Sequence, residues 1–288
     1  MPRSLIALSL LAMFGISGCS SFGTALHASA DAPTGHEAGE ALKLARVLRD
    51  NGRLSGAIEV YQRLDERQPL KGAYLVEYAS VAAAVRPARD AYALFDRARR
   101  EAGAGLHGLS ATERQALCGG LGRAALELGN AARAESDLQC ALTVQGDAHQ
   151  RAQLLNMLGV AQAQQGRHAA SRASFDQALA LDPGYSAATN NLALSWLAEG
   201  QRGKAIGLLN NARNGGEVSL QLNLALAYVL DGHDDTARRI LEERLAPDYA
   251  SGVLERFQAT RQRIESGAPI DSELLAASQQ PLQLANQD

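Results

Sequence analysis

The chain has 288 residues, with 28 Lys and Arg against 31 Asp and Glu and a formal net charge of −3. This nearly balanced charge, without a basic stripe interleaved with aromatic residues, excludes the usual nucleic-acid-binding proteins. Alanine is abundant, aromatic residues make up 5% and there are 8 prolines, a composition typical of stacked helices.

Residues 1–18 have the pattern of a signal peptide. Arg3 supplies the positively charged amino-terminal region, and the apolar run from Leu5 to Phe14 is too short to span a bilayer. The next residues, Ile16-Ser17-Gly18-Cys19, resemble the bacterial lipobox, in which small residues precede a cysteine that becomes the mature amino terminus. An ordinary secretory signal with an incidental cysteine is the alternative interpretation.

The lipobox resemblance implies that Cys19 is acylated. Apart from this covalent lipid, no cofactor is predicted. The same resemblance implies that Cys19 carries three acyl chains. Stable anchoring to a membrane requires two membrane-binding groups, so three chains are sufficient. Ser20 follows Cys19 in place of the aspartate that typically retains such proteins in the inner membrane. We therefore expect the periplasmic face of the outer membrane, with a flexible tether over residues 19–39, which are rich in Ser, Ala, Gly and Thr.

Residues 40–266 are predicted to form one solenoid with a capping helix, built on a helical-hairpin pattern that is clearest from Ala152 to Tyr185. Leu158-Gly159 lies on the first helix, Gly166 breaks it, and Phe175 lies on the second helix. Gly159 lets the second helix approach closely, where a branched side chain would hold it away. Over about 34 residues this pattern resembles the tetratricopeptide repeat. Further copies begin near Ala38, Gly72, Gln115, Ser186 and Val218.

This resemblance predicts an all-α, right-handed solenoid of about six helical hairpins. The Gly-rich stretch 103–110 is expected to be a longer loop between the second and third hairpins. A helix from Pro247 to Glu265 is expected to cap the last repeat, because terminal repeats otherwise expose an apolar face. Residues 267–288, with their Gln, Ser and Ala, are expected to form a disordered tail.

Cys118 and Cys140 fall early in the first helix and late in the second helix of the third repeat. In an oxidising periplasm these two cysteines could pair, since the two regions pack together. Cys140 is one place from the packing position Ala141 and could also point sideways. The sequence therefore leaves the disulfide open.

No catalytic or metal-binding constellation is found. Gly120 to Ala125 spell G-x-G-x-x-A, but a dinucleotide site needs a preceding strand, and here the motif lies within a predicted helix. No His-x-x-x-His pair and no G-x-S-x-G elbow is present. We predict that the chain is not an enzyme and has no small-molecule substrate.

The inner surface of stacked hairpins is lined by the first helix of each repeat, and it is the predicted partner-binding site. In the early repeats its exposed positions hold Arg46, Arg49, Asp50, Ser80, Arg123 and Glu127. In the later repeats they hold Gln153, Asn156, Val160, Asn190, Leu194, Leu197, Leu222, Leu226 and Val229. An apolar groove edged by amides suits an amphipathic helix. The alternatives are that stacking is tighter than assumed, or that the carboxy-terminal tail, with Leu282 and Leu284, fills the groove.

The combination of lipobox, short tether and about six tetratricopeptide repeats resembles the TadD-like repeat lipoproteins of the Tad (Flp) pilus assembly system. The resemblance implies a pilotin role, in which the lipoprotein binds a subunit of the pilus secretin and helps to deliver it to the outer membrane. The competing interpretation is a periplasmic adaptor for another envelope machine, such as a type IV pilus secretin, a protease or a peptidoglycan enzyme.

Overall fold

The computed structural model describes residues 35–215 and 217–284, and within them it contains fourteen α-helices, a short 3-10 helix and no strand. The predicted signal peptide, Cys19, the tether up to residue 34 and residues 285–288 lie outside this description. No helix in the described residues combines the length and the apolar character that crossing a bilayer requires.

The first twelve helices form six consecutive hairpins, in which each helix contacts its partner. They are α1 (Gly35–Asp50) with α2 (Leu54–Arg67), α3 (Gly72–Val85) with α4 (Ala88–Ala102), α5 (Ala111–Glu127) with α6 (Ala131–Leu142), α7 (Ala148–Gln164) with α8 (His168–Leu181), α9 (Ser186–Ala198) with α10 (Arg202–Ala212), and α11 (Val218–Leu230) with α12 (Asp234–Glu242). The 3-10 helix covers Arg213–Gly215, and α13 (Pro247–Glu265) and α14 (Ile270–Leu284) follow the last hairpin.

Five of the six hairpins turn on a glycine in the left-handed region, a conformation that glycine adopts without steric cost. The φ angles of these turn glycines lie between 71° and 83°, at Gly52, Gly129, Gly166, Gly200 and Gly232. The second hairpin turns instead at Pro87, which keeps the preceding Arg86 extended and so ends α3. Turn chemistry therefore accounts for the division into repeats.

Glycines also let the helices of the third and fourth hairpins approach closely. A β-carbon on Gly122 of α5 would lie 2.6 Å from Cγ of Leu138 on α6. The same atom on Gly159 of α7 would lie 2.4 Å from Cε1 of Phe175 on α8. The expected packing role of Gly159 is thus seen in the geometry of the hairpin.

The capping helix α13 spans Pro247–Glu265 and packs against both helices of the last hairpin. Val253 and Phe257 of α13 are buried in the same cluster as Leu224 and Ile240. The helix therefore covers the apolar face that the last repeat would otherwise expose.

Two of the sequence-based boundaries are wrong. Helix α1 begins at Gly35, so residues 35–39 belong to the first repeat and not to the tether. The expected disordered tail is helical over Ile270–Leu284. The helix is stabilised because apolar residues on one of its faces pack against the last repeat. Leu274 is 3% exposed and Ala277 is 4% exposed, both within the cluster that contains α11.

Candidate functional site

The inner surface of the solenoid is built from the first helices of the hairpins. Helices α3, α5, α7, α9 and α11 contact one another in succession, as the repeat pattern predicts. Because each first helix is held by its own second helix and by the neighbouring repeats, side chains on this surface sit on a fixed frame.

Five of the nine predicted groove residues are buried and cannot meet a partner directly. Helix α11 packs against α12, α13 and α14, so that its inner face is covered by the chain's own carboxy-terminal helices. The buried residues are Asn156 at 7% exposure, Leu197 at 1%, Leu222 at 5%, and Leu226 and Val229 at 0%. The predicted open groove is therefore wrong for the sixth repeat, where part of the predicted tail covers it. The side chains of Leu282 and Leu284 lie outside the part of the chain that the structure describes.

Two of the three amides that were expected to edge the groove, Asn156 and Asn190, instead join successive repeats. Nδ2 of Asn191 donates to Oδ1 of Asn156 over 2.9 Å. Nδ2 of Asn223 donates to Oδ1 of Asn190 over 2.5 Å. Because each bond links the first helices of neighbouring hairpins, these amides help to fix the register of the stack.

The remaining four predicted residues, Gln153, Val160, Asn190 and Leu194, are partly exposed. Gln153 lines one cavity, and Val160 and Leu194 line a second cavity beside it. First helices of the hairpins supply much of the lining of both cavities, and both cavities are bordered by α7.

The first cavity has a volume of about 310 Å³ and lies between α3, α4, α5 and α7. Its apolar walls include Phe95, Leu154 and Met157, and its polar edge includes Arg123 and Gln153. The other lining residues are Ser80, Ala83, Thr112, Gln115, Ala116, Gly119, Gly120 and Gln150. The cavity thus combines an apolar interior with hydrogen-bonding groups at its rim, as peptide- and ligand-binding sites do.

The second cavity has a volume of about 490 Å³ and lies between α7, α8, α9 and α14. Val160 and Leu194 line it from the repeats, and Leu274 and Leu275 line it from α14. Leu275 is 57% exposed, so this wall presents apolar surface to the opening. Helix α14 therefore both closes the end of the groove over α11 and supplies one wall of the part that stays open.

Met157 is a site residue that the sequence interpretation missed, although the signal was present. Gln153, Met157 and Val160 are spaced by four and three residues, so they share one face of α7. The sequence interpretation placed Asn156 on that face, whereas Asn156 points into the stack toward Asn191. The walls from Phe95 and Leu275 could not be found by this spacing, because they come from a second helix and from the predicted tail.

Most charges near the amino-terminal end of the inner surface are paired within the fold. Arg46 donates to both carboxylate oxygens of Glu77, over 2.9 and 2.7 Å, and the Tyr61 hydroxyl donates to Glu77 over 2.9 Å. Burial tends to raise the pKa of Glu77, but the hydrogen bonds from Arg46 and Tyr61 hold that pKa below its ordinary value. Burial raises the pKa of the Tyr61 hydroxyl, which stays protonated and can donate to Glu77. These groups connect the first two hairpins.

Cys118 and Cys140 form a disulfide that joins α5 to α6, with their Cα atoms 5.8 Å apart. The G-x-G-x-x-A sequence lies within α5, beside this disulfide. A β-carbon on Gly120 would lie 2.2 Å from Cζ of Phe95, so its glycine serves helix packing in this position. Within the described residues, no group of three or more His, Cys, Asp or Glu is arranged to hold a metal ion.

Residues 120–186 and 156–218 match the tetratricopeptide repeat family. The matched residues run from within the third hairpin to the start of the sixth. Proteins built from such repeats are generally non-catalytic scaffolds that use their concave surface for binding. None of the curated proteins matches the chain.

Solved structures with the same fold extend the similarity over most of the chain. A tetratricopeptide repeat protein from Parabacteroides merdae is 17% identical, has a TM-score of 0.60, and is matched over 85% of this chain and 100% of its own. A chain of the APC/C hetero-tetramer Cut9–Hcn1 is 20% identical with a TM-score of 0.56, over 84% of this chain and 42% of its own. MamA from Desulfovibrio magneticus is 14% identical with a TM-score of 0.53, over 63% of this chain and 96% of its own. At these identities the matches show the fold, and they confirm the predicted all-α solenoid of tetratricopeptide hairpins.

Proposed function

We propose that this chain is a lipid-anchored scaffold that binds a helical segment of another protein along α7, in the open part of its inner surface. The observation that carries the proposal is the pair of neighbouring cavities, which place apolar walls beside hydrogen-bonding side chains. An amphipathic helix that lies in a groove buries its apolar stripe and leaves polar groups at the rim.

The length of the open surface sets the size of the partner segment. The two cavities follow α7 from Gln150 to Gln164. At 1.5 Å per residue this path is about 21 Å long, which is the length of a helix of about fourteen residues. Because α14 covers α11, the binding segment contacts the second to fifth repeats and does not reach the sixth.

For the location and the partner, the support comes from the amino-terminal sequence and the order of the elements. We propose that acylated Cys19 anchors the chain to the periplasmic face of the outer membrane. We also propose that the partner is a secretin subunit of a Tad (Flp) pilus, because lipobox, tether and repeats resemble the TadD-like lipoproteins of that system. In this role the chain would act as a pilotin, with no small-molecule substrate.

A capture experiment tests the groove. In cells that produce a Tad secretin, Val160→Asp should lower the amount of secretin that co-purifies with the chain by about tenfold, because a carboxylate would be buried against an apolar segment. Gln177→Asp is the matched control, since Gln177 is exposed on α8 and lines neither cavity. Equal recovery of secretin with both variants would contradict the groove. Recovery of a protease or a peptidoglycan enzyme in place of secretin would favour the adaptor interpretation.

A fractionation experiment tests the anchor. Cys19→Ser should leave the chain in the soluble periplasmic fraction and should leave the secretin outside the outer membrane. The repeats should fold unchanged, which circular dichroism of the purified variant can check. A variant that still fractionates with the outer membrane would refute the lipid anchor.

A further inference from the structure

We infer that the first cavity selects a partner segment in which a bulky apolar side chain lies beside a carboxylate, and that Arg123 binds this carboxylate. The inference rests on the proposed function and adds the chemistry of the segment that the groove accepts. It follows from the charges around the cavity and from the exposure and missing ion pair of the Arg123 side chain within the described residues.

Arg123 is the one charged residue among those that line the first cavity, and no Asp or Glu lines it. The side chain is exposed, at the rim of the cavity. An acidic group entering here would therefore meet a guanidinium group without a competing carboxylate, whereas a Lys or Arg would meet a like charge.

Arg123 also differs from arginines on α4 and α7, which are engaged within the fold. Arg99 pairs with Asp137, and Arg97 pairs with Asp65. Arg151 donates to the carbonyl oxygens of Leu142 and Val144. Arg123 forms no ion pair with any residue that the structure describes. Its guanidinium group is thus available to a ligand.

The apolar part of the cavity sets the second requirement. Phe95, Leu154 and Met157 form its walls, and Gly119 contributes no side chain that would fill it. Gln150 and Gln153, one turn apart on α7, place amides on the side of the opening formed by that helix. A leucine or phenylalanine of the partner would enter the cavity while a carboxylate one turn away reaches Arg123.

The second cavity does not share this charge selectivity. Its one Asp or Glu is Asp271 on α14, and no Arg or Lys lines it. An acidic segment is therefore attracted to the end of α7 that faces Arg123. This difference gives the bound segment a preferred direction.

The test uses three fluorescein-labelled helical peptides of fourteen residues that carry one leucine anchor and differ only four positions later, where they have Glu, Gln or Lys. Fluorescence anisotropy should show that the wild-type chain binds the Glu peptide about tenfold more tightly than the Lys peptide, as expected for a charge-assisted hydrogen bond at a partly exposed site. Added salt should reduce this ratio. Arg123→Gln should abolish the preference, and Arg123→Glu should reverse it. Arg114→Gln, on the same helix but outside the cavity, should leave it intact.

Equal binding of the three peptides to the wild-type chain would overturn the inference, and so would a preference that survives in Arg123→Gln. Failure of the wild-type chain to bind any of the three peptides would overturn it as well. The secretin capture with Val160→Asp reports on the proposed function independently of these peptides, so the two failures can be told apart.

Discussion

The ring of Phe175 packs directly against Gly159, on the first helix of the fourth hairpin, and leaves no room there for a side chain. A β-carbon on Gly159 would lie 2.4, 2.7 and 2.9 Å from three carbons of the Phe175 ring. Since Phe175 is 2% exposed, its ring is held by the core and cannot easily move away.

Gly159→Ala should therefore lower the free energy of unfolding by about 1 to 3 kcal/mol, because the added methyl group forces the two helices apart. Gly207→Ala is the matched control, since a β-carbon on Gly207 of α10 would meet no atom within 4 Å. That control should be neutral, or more stable by up to about 1 kcal/mol, through the higher helix propensity of alanine. Urea unfolding of both variants measures the difference, and equal stability of the two would contradict the close-packing role of Gly159.

The repeats could be predicted from the sequence because each one carries its own signals. Gly166 and Gly200 mark the turns, and the pair Gly159–Phe175 follows from the repeat register. The groove was predicted less well, since exposure on a first helix depends on what covers it. Asn156 and Leu226 have helical spacing suited to an inner surface, yet one bonds to the next repeat and the other is fully buried. Such long-range contacts leave no local signal in the sequence.

Helix α14 is a second example of a long-range contact that the local sequence did not predict. The polar composition of residues 267–288 favours a disordered tail, but Leu274 and Ala277, three positions apart, are buried in the cluster that contains α11. The spacing of these two residues was visible in the sequence. The surface that these two residues cover is formed by other helices, among them α11 and α13, and so has no local signal.

Leu274→Ala should lower the free energy of unfolding by about 2 to 5 kcal/mol, because Leu274 is 3% exposed and its truncation leaves a cavity under α14. Leu275→Ala is the neighbouring control: Leu275 is 57% exposed, so its truncation should change stability by less than about 0.5 kcal/mol. Thermal unfolding followed by circular dichroism compares them. Equal effects of the two substitutions would show that α14 is not packed on the repeats in this register.

The bonds that Arg46 and Tyr61 make to Glu77 predict a pH dependence. They keep the pKa of Glu77 below its ordinary value, although burial opposes them. A carboxylate with a lowered pKa in the folded state contributes stability that is present above its unfolded pKa and is lost as the pH falls through the folded pKa.

Glu77→Gln should therefore be less stable than the wild type by about 1 kcal/mol at pH 7, and the difference should shrink as the pH falls below the ordinary value of 4.5. Glu59→Gln serves as the control, because Glu59 is 64% exposed and its pair with Arg63 is expected to contribute little. Urea midpoints measured from pH 7 to pH 3 provide the comparison. A constant difference between Glu77→Gln and the wild type across this range would rule out the lowered pKa.

The Cys118–Cys140 disulfide closes a loop of sequence separation 22. In the chain-entropy model, a loop of this size stabilises the folded state by about 3 kcal/mol. Adding a reductant should therefore lower the urea midpoint of the wild-type chain, and it should leave a Cys118→Ala, Cys140→Ala double variant unchanged. Thiol titration of the oxidised native chain, unfolded without reductant and with Cys19 replaced by Ser, should find no free thiol. Two free thiols would contradict the pairing.

The most direct test of the account is site-specific photocrosslinking in intact cells, because it reports which surface of the solenoid touches another protein. A benzophenone amino acid at Gln153, on the rim of the first cavity, should crosslink to a secretin subunit. The same probe at Gln177, exposed on α8, should not crosslink to it. Crosslinking of the secretin at Gln177 and none at Gln153 would contradict binding on the inner surface of the repeats.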